Sequence, residues 1–394
     1  MPDLSTTLAS IPLKSCVFNA SGPRTGSGAA LSKIAKSSAG AVLAKSATLK
    51  SQKGNDLPRT WHHEANPDDK DGFESHASMN SEGLPNAGIE YYLSKETIDE
   101  AVGDSDKPYM VSISGSTLAD NLSMLQKIHE TVQAGESRIS GVELNLACPN
   151  VIGKPIIAYD FDQMDDVLSK VTALPMFSGP NALPLGVKMP PYFDGPHFDR
   201  AASVLNKYKG VVKYVASINT IGNALMIDPV AEMPVIRAKG GFAGLSGRAV
   251  KYTALSNVKK MRDLLDESID VVGVGGVFTG EDAFEMILCG ATAVQVGTCH
   301  WTEGPKCFNR ICSELSEIMK SKGYNSIADF KGQSKEWSKE GVAKSREAKK
   351  KNKAQQSQGP NLNQEAPSDY QFLSMLLFAL LAILVADKMG HINI

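Results

Sequence analysis

Neither sign of charge is in excess: 41 basic and 43 acidic residues over 394 leave a formal net charge of −2. That balance gives no global electrostatic reason for nucleic acid to bind, and a small-molecule enzyme fits it better. Cysteine is scarce and scattered. Cys16, Cys148, Cys289, Cys299, Cys307 and Cys312 include no C-x-x-C pair, so the chain spells out no iron–sulfur pattern of its own. The opening stretch MPDLSTTLAS lacks the basic and apolar segments of a secretory signal, and reduced thiols in a cytosol-like compartment are expected. The seven histidines, among them the adjacent His62 and His63, show no metal-like spacing to acids, and no Ser/His/Asp arrangement stands out. Metal catalysis is therefore not expected. A G-x-G-x-x-G turn after a first strand, with a later acid, is also missing, which argues against a dinucleotide fingerprint.

What the chain does have is alternation. From Val17 to about Phe330, short β-branched runs alternate with longer amphipathic ones, the pattern of a parallel sheet covered by helices. Eight strands are predicted: Val17 to Ala20, Ala41 to Lys45, Tyr109 to Ser114, Gly141 to Leu146, Leu185 to Met189, Tyr214 to Asn219, Val271 to Val274 and Ala293 to Val296. After the seventh, TGEDAFEMILCG reads as a helix capped by Thr279 and stopped by Gly290. Eight such units predict a closed (β/α)8 TIM barrel, a fold that carries its chemistry in the loops at the carboxyl ends of the strands.

Polar residues and glycines gather at those ends. GVGGVFTG (Gly273 to Gly280) and QVGT (Gln295 to Thr298) put Gly275, Gly276, Gly297 and Thr298 where barrels of this class often hold a phosphate, although such glycines also serve tight turns. Lys45 and Lys188 end otherwise apolar strands and point a cation at the predicted pocket, which suits a cofactor that becomes anionic on reduction. Asn80, Asn145, Asn150 and Asn219 offer paired donors and acceptors for a cyclic imide or amide ring, though any one of them also suits a turn. Cys148, in GVELNLACPNVIG, reads on its own as a base, a nucleophile, a ligand or a small buried hydrophobe.

Seven ordered blocks resemble one family. They are NASG (Asn19 to Gly22), KSATLKSQKGNDLPR (Lys45 to Arg59), NSEGLPNAGIEYY (Asn80 to Tyr92), ELNLACPNVIGKP (Glu143 to Pro155), GVKMPPYFD (Gly186 to Asp194), INTIGN (Ile218 to Asn223) and VGVGGVFTGEDAF with QVGT (Val272 to Thr298). Together they resemble the class 1A dihydroorotate dehydrogenases, soluble homodimeric flavoenzymes of pyrimidine biosynthesis that pass electrons to fumarate. The resemblance implies FMN packed on Ala20, Ser21 and Gly22, with its ring met by Lys45, Ser46, Asn145, Lys188 and Asn219. It implies a phosphate held by Gly247, Gly275, Gly276, Gly297 and Thr298. Dihydroorotate would meet Lys45, Asn80, Gly83, Leu84, Asn145, Asn150, Asn219 and Thr220, and Cys148 would be the general base. A cysteine base also separates the chain from the class 2 membrane enzymes, which use serine.

The chain departs from that family at three places. Glu82 stands where methionine is expected, adding a carboxylate beside an anionic substrate. Ser246 replaces the usual glycine and Tyr252 the usual proline. The third is the segment beyond Lys331, which typical members lack. Residues 332–370 read as a polar disordered linker. Within 371–387, FLSMLLFALLAILVA supplies about 15 apolar residues, roughly 22 Å of helix, short of the ~20 residues that comfortably span a bilayer. A C-terminal membrane anchor, with the barrel 1–331 in the cytosol, is the expectation; docking on the barrel or an oligomer contact are the alternatives. For function, the same half-reaction feeding NAD through a partner subunit or quinone, and a flavin-binding scaffold without turnover, stand beside fumarate reduction.

Overall fold

The computed structural model describes residues 1–62, 77–148 and 156–357. Eight parallel strands form one sheet: β1 (Val17–Asn19), β2 (Val42–Leu43), β3 (Tyr109–Ile113), β4 (Ile139–Asn145), β5 (Leu185–Met189), β6 (Val212–Ser217), β7 (Asp270–Val274) and β8 (Ala293–Val296). Their spatial order is β1-β8-β7-β6-β5-β4-β3-β2, so every strand beyond the seam neighbours its sequence neighbours. This is the expected (β/α)8 barrel.

The seam between β1 and β2 is closed largely by a side chain. Asn19 is fully buried; its Oδ1 accepts from Leu43 N at 3.0 Å and its Nδ2 donates to Leu43 O at 2.6 Å. One amide thus replaces a missing rung of backbone pairing, which a strand of only two residues cannot supply.

Alternation decides what enters the barrel. Val142 and Leu144 of β4 and Leu185, Val187 and Met189 of β5 join the core beneath the helices. Their alternates Glu143, Asn145 and Lys188 line a cavity inside the barrel. Gly186 is small for a reason of space: a Cβ there would lie 1.9 Å from the Tyr214 ring. At the opposite end, the hairpin Thr6–Leu8 with Ile11–Leu13 plugs the barrel, packing Leu8, Ile11 and Leu13 with Met110 and Tyr214.

The helices follow the expected rhythm. Gly280–Leu288 starts at Thr279, whose side chain accepts from Asp282 N at 3.2 Å while Asp282 Oδ2 accepts from Thr279 N at 2.8 Å. Its buried Phe284, Met286 and Ile287 face the core, each contributing about 1.5–3 kcal/mol by leaving water. Gly290 follows the cap with φ +108°.

One layer was not anticipated. Thr60–His62, Ala77–Asn80, Ile221–Ala224 and Ala243–Gly247 form an antiparallel sheet that brings Asn80, Ser246 and Gly247 to the carboxyl ends of the barrel strands. The compact barrel unit runs from Met1 to Ser334, and Lys335 opens a second unit. In that unit Lys339–Ser357 is helical, inside the stretch read as linker. Its Ala, Lys, Glu and Gln residues are good helix formers even without an apolar face. No helix among the described residues is long and apolar enough to cross a membrane, and the apolar run at 372–386 lies outside them.

Candidate active site

A cavity of about 1090 Å³, its open mouth included, lies at the carboxyl ends of the barrel strands. The motifs noted in sequence converge on it: Ala20, Ser21 and Gly22 after β1; Lys45 and Ser46 after β2; Asn145 and Cys148 at the end of β4; Lys188 on β5; Asn219 and Thr220 after β6. The other end is made by Gly275 and Gly276 after β7, Gly297 and Thr298 after β8, and Gly247 from the antiparallel sheet. Asn80 and Leu84 complete the wall near Lys45. Gly83 is the exception. It is not among the residues lining the cavity; with φ +68°, its missing Cβ would meet Asn55 Oδ1 at 2.5 Å, so the turn beside Leu84 requires glycine. Asn150 lies outside the described residues.

Hydrogen bonds link the strand ends into a polar track. Asn219 Nδ2 donates to Asn145 Oδ1 at 3.3 Å, and Asn145 Nδ2 to Ser46 Oγ at 3.4 Å. Ser46 Oγ lies 3.0 Å from Ser21 Oγ and 2.8 Å from Ser112 Oγ. Thr220 N donates to Asn219 Oδ1 at 2.8 Å, while the buried Thr220 hydroxyl has no partner among the described residues. A buried hydroxyl without a partner costs free energy until a ligand supplies one.

At the glycine end, Gly276 has φ +73° and a Cβ there would come within 2.5 Å of Lys251 Cβ, so only glycine lets the turn pass. Lys251 is itself fixed, with Nζ 2.6 Å from Asp282 and 2.7 Å from Glu285. By contrast a Cβ on Gly297 would meet nothing nearer than Ala20 Cβ at 3.8 Å, and one on Gly22 nothing nearer than Ala20 O at 3.8 Å. Those two backbones border open space. Ser246, where glycine was expected, also lines the cavity and places its hydroxyl 3.0 Å from Ser78 Oγ. Tyr252 is exposed and lies outside the cavity wall.

Two residues important to the electrostatics were overlooked in sequence. Glu143 is 1 % exposed, and Gln295 bridges it to Lys188: Lys188 Nζ donates to Gln295 Oε1 at 3.1 Å, and Gln295 Nε2 donates to Glu143 Oε2 at 2.7 Å. Burial pushes the Glu143 carboxyl up, with Lys188 opposing. It pushes the Lys188 ammonium down to about 8, with Glu143 opposing. The alternation V-E-L-N held the signal, since Val142 and Leu144 outward require Glu143 and Asn145 inward. Trp301, which flanks the cavity and meets His62 edge-on at 4.3 Å between ring centroids, had no such signal.

Near Cys148 the charge balance differs. Lys45 Nζ lies 3.6 Å from Glu82 Oε2; burial pushes the Lys45 ammonium down, and Glu82 and then Cys148 oppose the shift. Cys148 is half-buried and not disulfide-bonded. No group of three or more His, Cys, Asp or Glu that would hold a metal occurs among the described residues.

A site that joins buried cations, a glycine turn and a thiol near strand-end asparagines defines a barrel built for a cofactor and a small polar ligand. Residues 3–319 match the family model described as dihydroorotate dehydrogenase. The chain is 44 % identical over 333 residues to dihydroorotate dehydrogenase A (fumarate) of Lactococcus lactis subsp. cremoris, covering 84 % of this chain and 99 % of that one. It is 43 % identical over 317 residues to dihydroorotate dehydrogenase (fumarate) of Kluyveromyces lactis, covering 80 % and 93 %. Among solved structures, the ligand-free enzyme of Eimeria tenella superposes with a TM-score of 0.67 at 20 % identity, covering 86 % of this chain and 93 % of that one, a likeness of fold. This chain belongs to the dihydroorotate dehydrogenase family.

Proposed function

We propose that the protein is an FMN-dependent dihydroorotate dehydrogenase that oxidises dihydroorotate to orotate in pyrimidine biosynthesis and passes the electrons to fumarate. The observation that carries this reading is the convergence of Cys148, Lys45, Asn145, Asn219 and the glycine turns on one cavity. The family is flavin-dependent, and the residues fit FMN: open space beside Gly22 and Gly297, a backbone turn at Gly275 and Gly276 that excludes side chains, and a buried Lys188 that donates a hydrogen bond to the neutral Gln295. Bound FMN would supply the hydride acceptor for C6 of dihydroorotate and the donor of electrons to fumarate.

The residues of the chain do the rest. Ala20, Ser21 and Gly22 support the flavin, while Ser46, Lys188 and Asn219 meet its ring and Gly247, Gly275, Gly276, Gly297 and Thr298 its phosphate. The cation at Lys188 favours charge that appears on the ring during reduction, with no reorganisation needed. Asn80, Asn145, Asn150, Asn219 and the Thr220 hydroxyl orient the substrate ring through its amide edges, and Lys45 takes its carboxylate. Cys148 Sγ removes the C5 proton. Its thiolate is the form that acts, and the same thiolate helps keep Lys45 charged.

Anaerobic dihydroorotate is expected to bleach the flavin of the purified protein one for one, and fumarate to restore the colour. Recovery with NAD or a soluble quinone but not with fumarate would reassign the acceptor, and absence of bleaching would leave only a scaffold. The homodimer belongs to the same proposal and rests on the family alone. For the C-terminal part, residues 332–370 as spacer and 371–387 as a membrane anchor leave the barrel facing the cytosol. Full-length protein is then expected in the membrane fraction and a chain ending at Lys331 in the supernatant; two soluble proteins would refute the anchor.

A further inference from the structure

The strand Ala243–Gly247 alternates between two surroundings. Leu245 stands opposite Met79 of the neighbouring strand and packs with it in a small apolar cluster, while the next pair in register, Ser246 and Ser78, belongs to the other face. On that face Ser246 lines the cavity and Ser78 is buried beside it. Ser78 Oγ is 3.0 Å from Ser246 Oγ and 3.3 Å from the hydroxyl of Thr298, which also lines the cavity. One buried serine thus ties together two hydroxyls of the wall, each next in sequence to a cavity-lining glycine, Gly247 and Gly297. Ser246 stands where glycine is usual, so its hydroxyl is a feature of this chain rather than of the family pattern.

A phosphate group carries about two negative charges near neutral pH and needs donors to leave water. Among the described residues, the lysines and arginines lining the cavity are Lys45 and Lys188, which the proposed function gives to the substrate carboxylate and the flavin ring. Lys251, packed against Gly276, is not in the wall, and its ammonium is bound to Asp282 at 2.6 Å and Glu285 at 2.7 Å. Neutral donors are therefore left for the phosphate: backbone N–H groups of the glycine turns, and hydroxyls. A hydroxyl has one proton to give. When Ser78 donates to Ser246, the shorter of its two hydroxyl contacts, the Ser246 proton can turn from Ser78 O, a long 3.4 Å away, to an anion in the cavity. We propose that Ser246 is a further ligand of the flavin phosphate, its hydroxyl aimed by Ser78 and supplying a donor that the usual glycine lacks. The inference deepens the proposed function and rests on FMN as its cofactor.

The test is flavin binding rather than turnover. Full-length protein stripped of flavin is titrated with FMN and with riboflavin, which lacks the phosphate, and quenching of flavin fluorescence gives both affinities. Ser246→Ala is expected to weaken FMN about tenfold or more, the worth of a hydrogen bond to a charged group, and riboflavin less than about twofold. Ser246→Gly should show the same split, and it carries the test alone if Ser246→Ala does not fold. Equal losses for the two flavins would reveal a packing role, and unchanged FMN affinity no role; either overturns the inference while leaving the dehydrogenase reading intact. An unaltered protein that takes riboflavin as tightly as FMN would overturn both the inference and the choice of FMN as cofactor.

Discussion

Replacing Cys148 by serine is expected to slow flavin reduction by dihydroorotate about 10²-fold or more at neutral pH, the usual worth of a positioned general base. Flavin content should stay unchanged, because Cys148 is not among the residues expected to hold the flavin. The reason is acid strength. A thiol reaches its basic form near neutral pH far more readily than an alcohol, so the serine variant should keep gaining rate as pH rises after the unaltered protein has levelled off. Cys148→Ala should lose that rise altogether. Stopped-flow reduction under anaerobic conditions separates these outcomes from effects on reoxidation. A serine variant with full rate at neutral pH would remove Cys148 from the proton transfer.

Much of this site could be read from the chain because strand ends are local signals. β5 and β8 occupy the predicted residues, and Lys188, Gly297 and Thr298 come with them. β2 is shorter than Ala41 to Lys45 because Asn19 takes over the pairing of Leu43, a contact between distant residues that no local pattern shows. The antiparallel sheet was missed for a similar reason. Its strands are three to five residues long and pair segments such as Ala77–Asn80 with Ala243–Gly247 across some 160 positions. Gly83 could be read as a required glycine from its motif, and the fold adds the reason: Asn55 fills the space a side chain there would need. The helix Lys339–Ser357 escaped because polar composition was read as lack of structure, while propensity alone favours helix there. Glu143 marks the opposite error: the apolar run GVELNL was read whole, and alternation within it was not used to place the carboxylate inside the barrel.

The Glu143–Gln295–Lys188 bridge leads to the second large effect. Lys188→Met removes the cation that opposes the burial of Glu143 and leaves a carboxylate in the barrel interior, a change expected to cost about 3–5 kcal/mol. Its pH dependence follows from linkage. Burial raises the Glu143 carboxyl above its unfolded value of 4.5, so the native state binds more protons as pH climbs from there, and stability falls through that window. Lys188 behaves in the opposite sense: held down to about 8 from 10.5, it binds more protons in the unfolded chain between those values, and stability rises across them. The variant loses the second contribution and deepens the first. Its melting temperature should therefore lie nearest that of the unaltered protein at about pH 5, where Glu143 is best able to take a proton, and fall away from it toward pH 8. Adding Glu143→Gln should recover most of the loss at pH 8, because no charge is then left buried. Flavin reduction by the double variant should nevertheless stay slow, since stability has been restored without the cation that faces the reduced ring. Recovery of both together would show that Lys188 serves the fold alone.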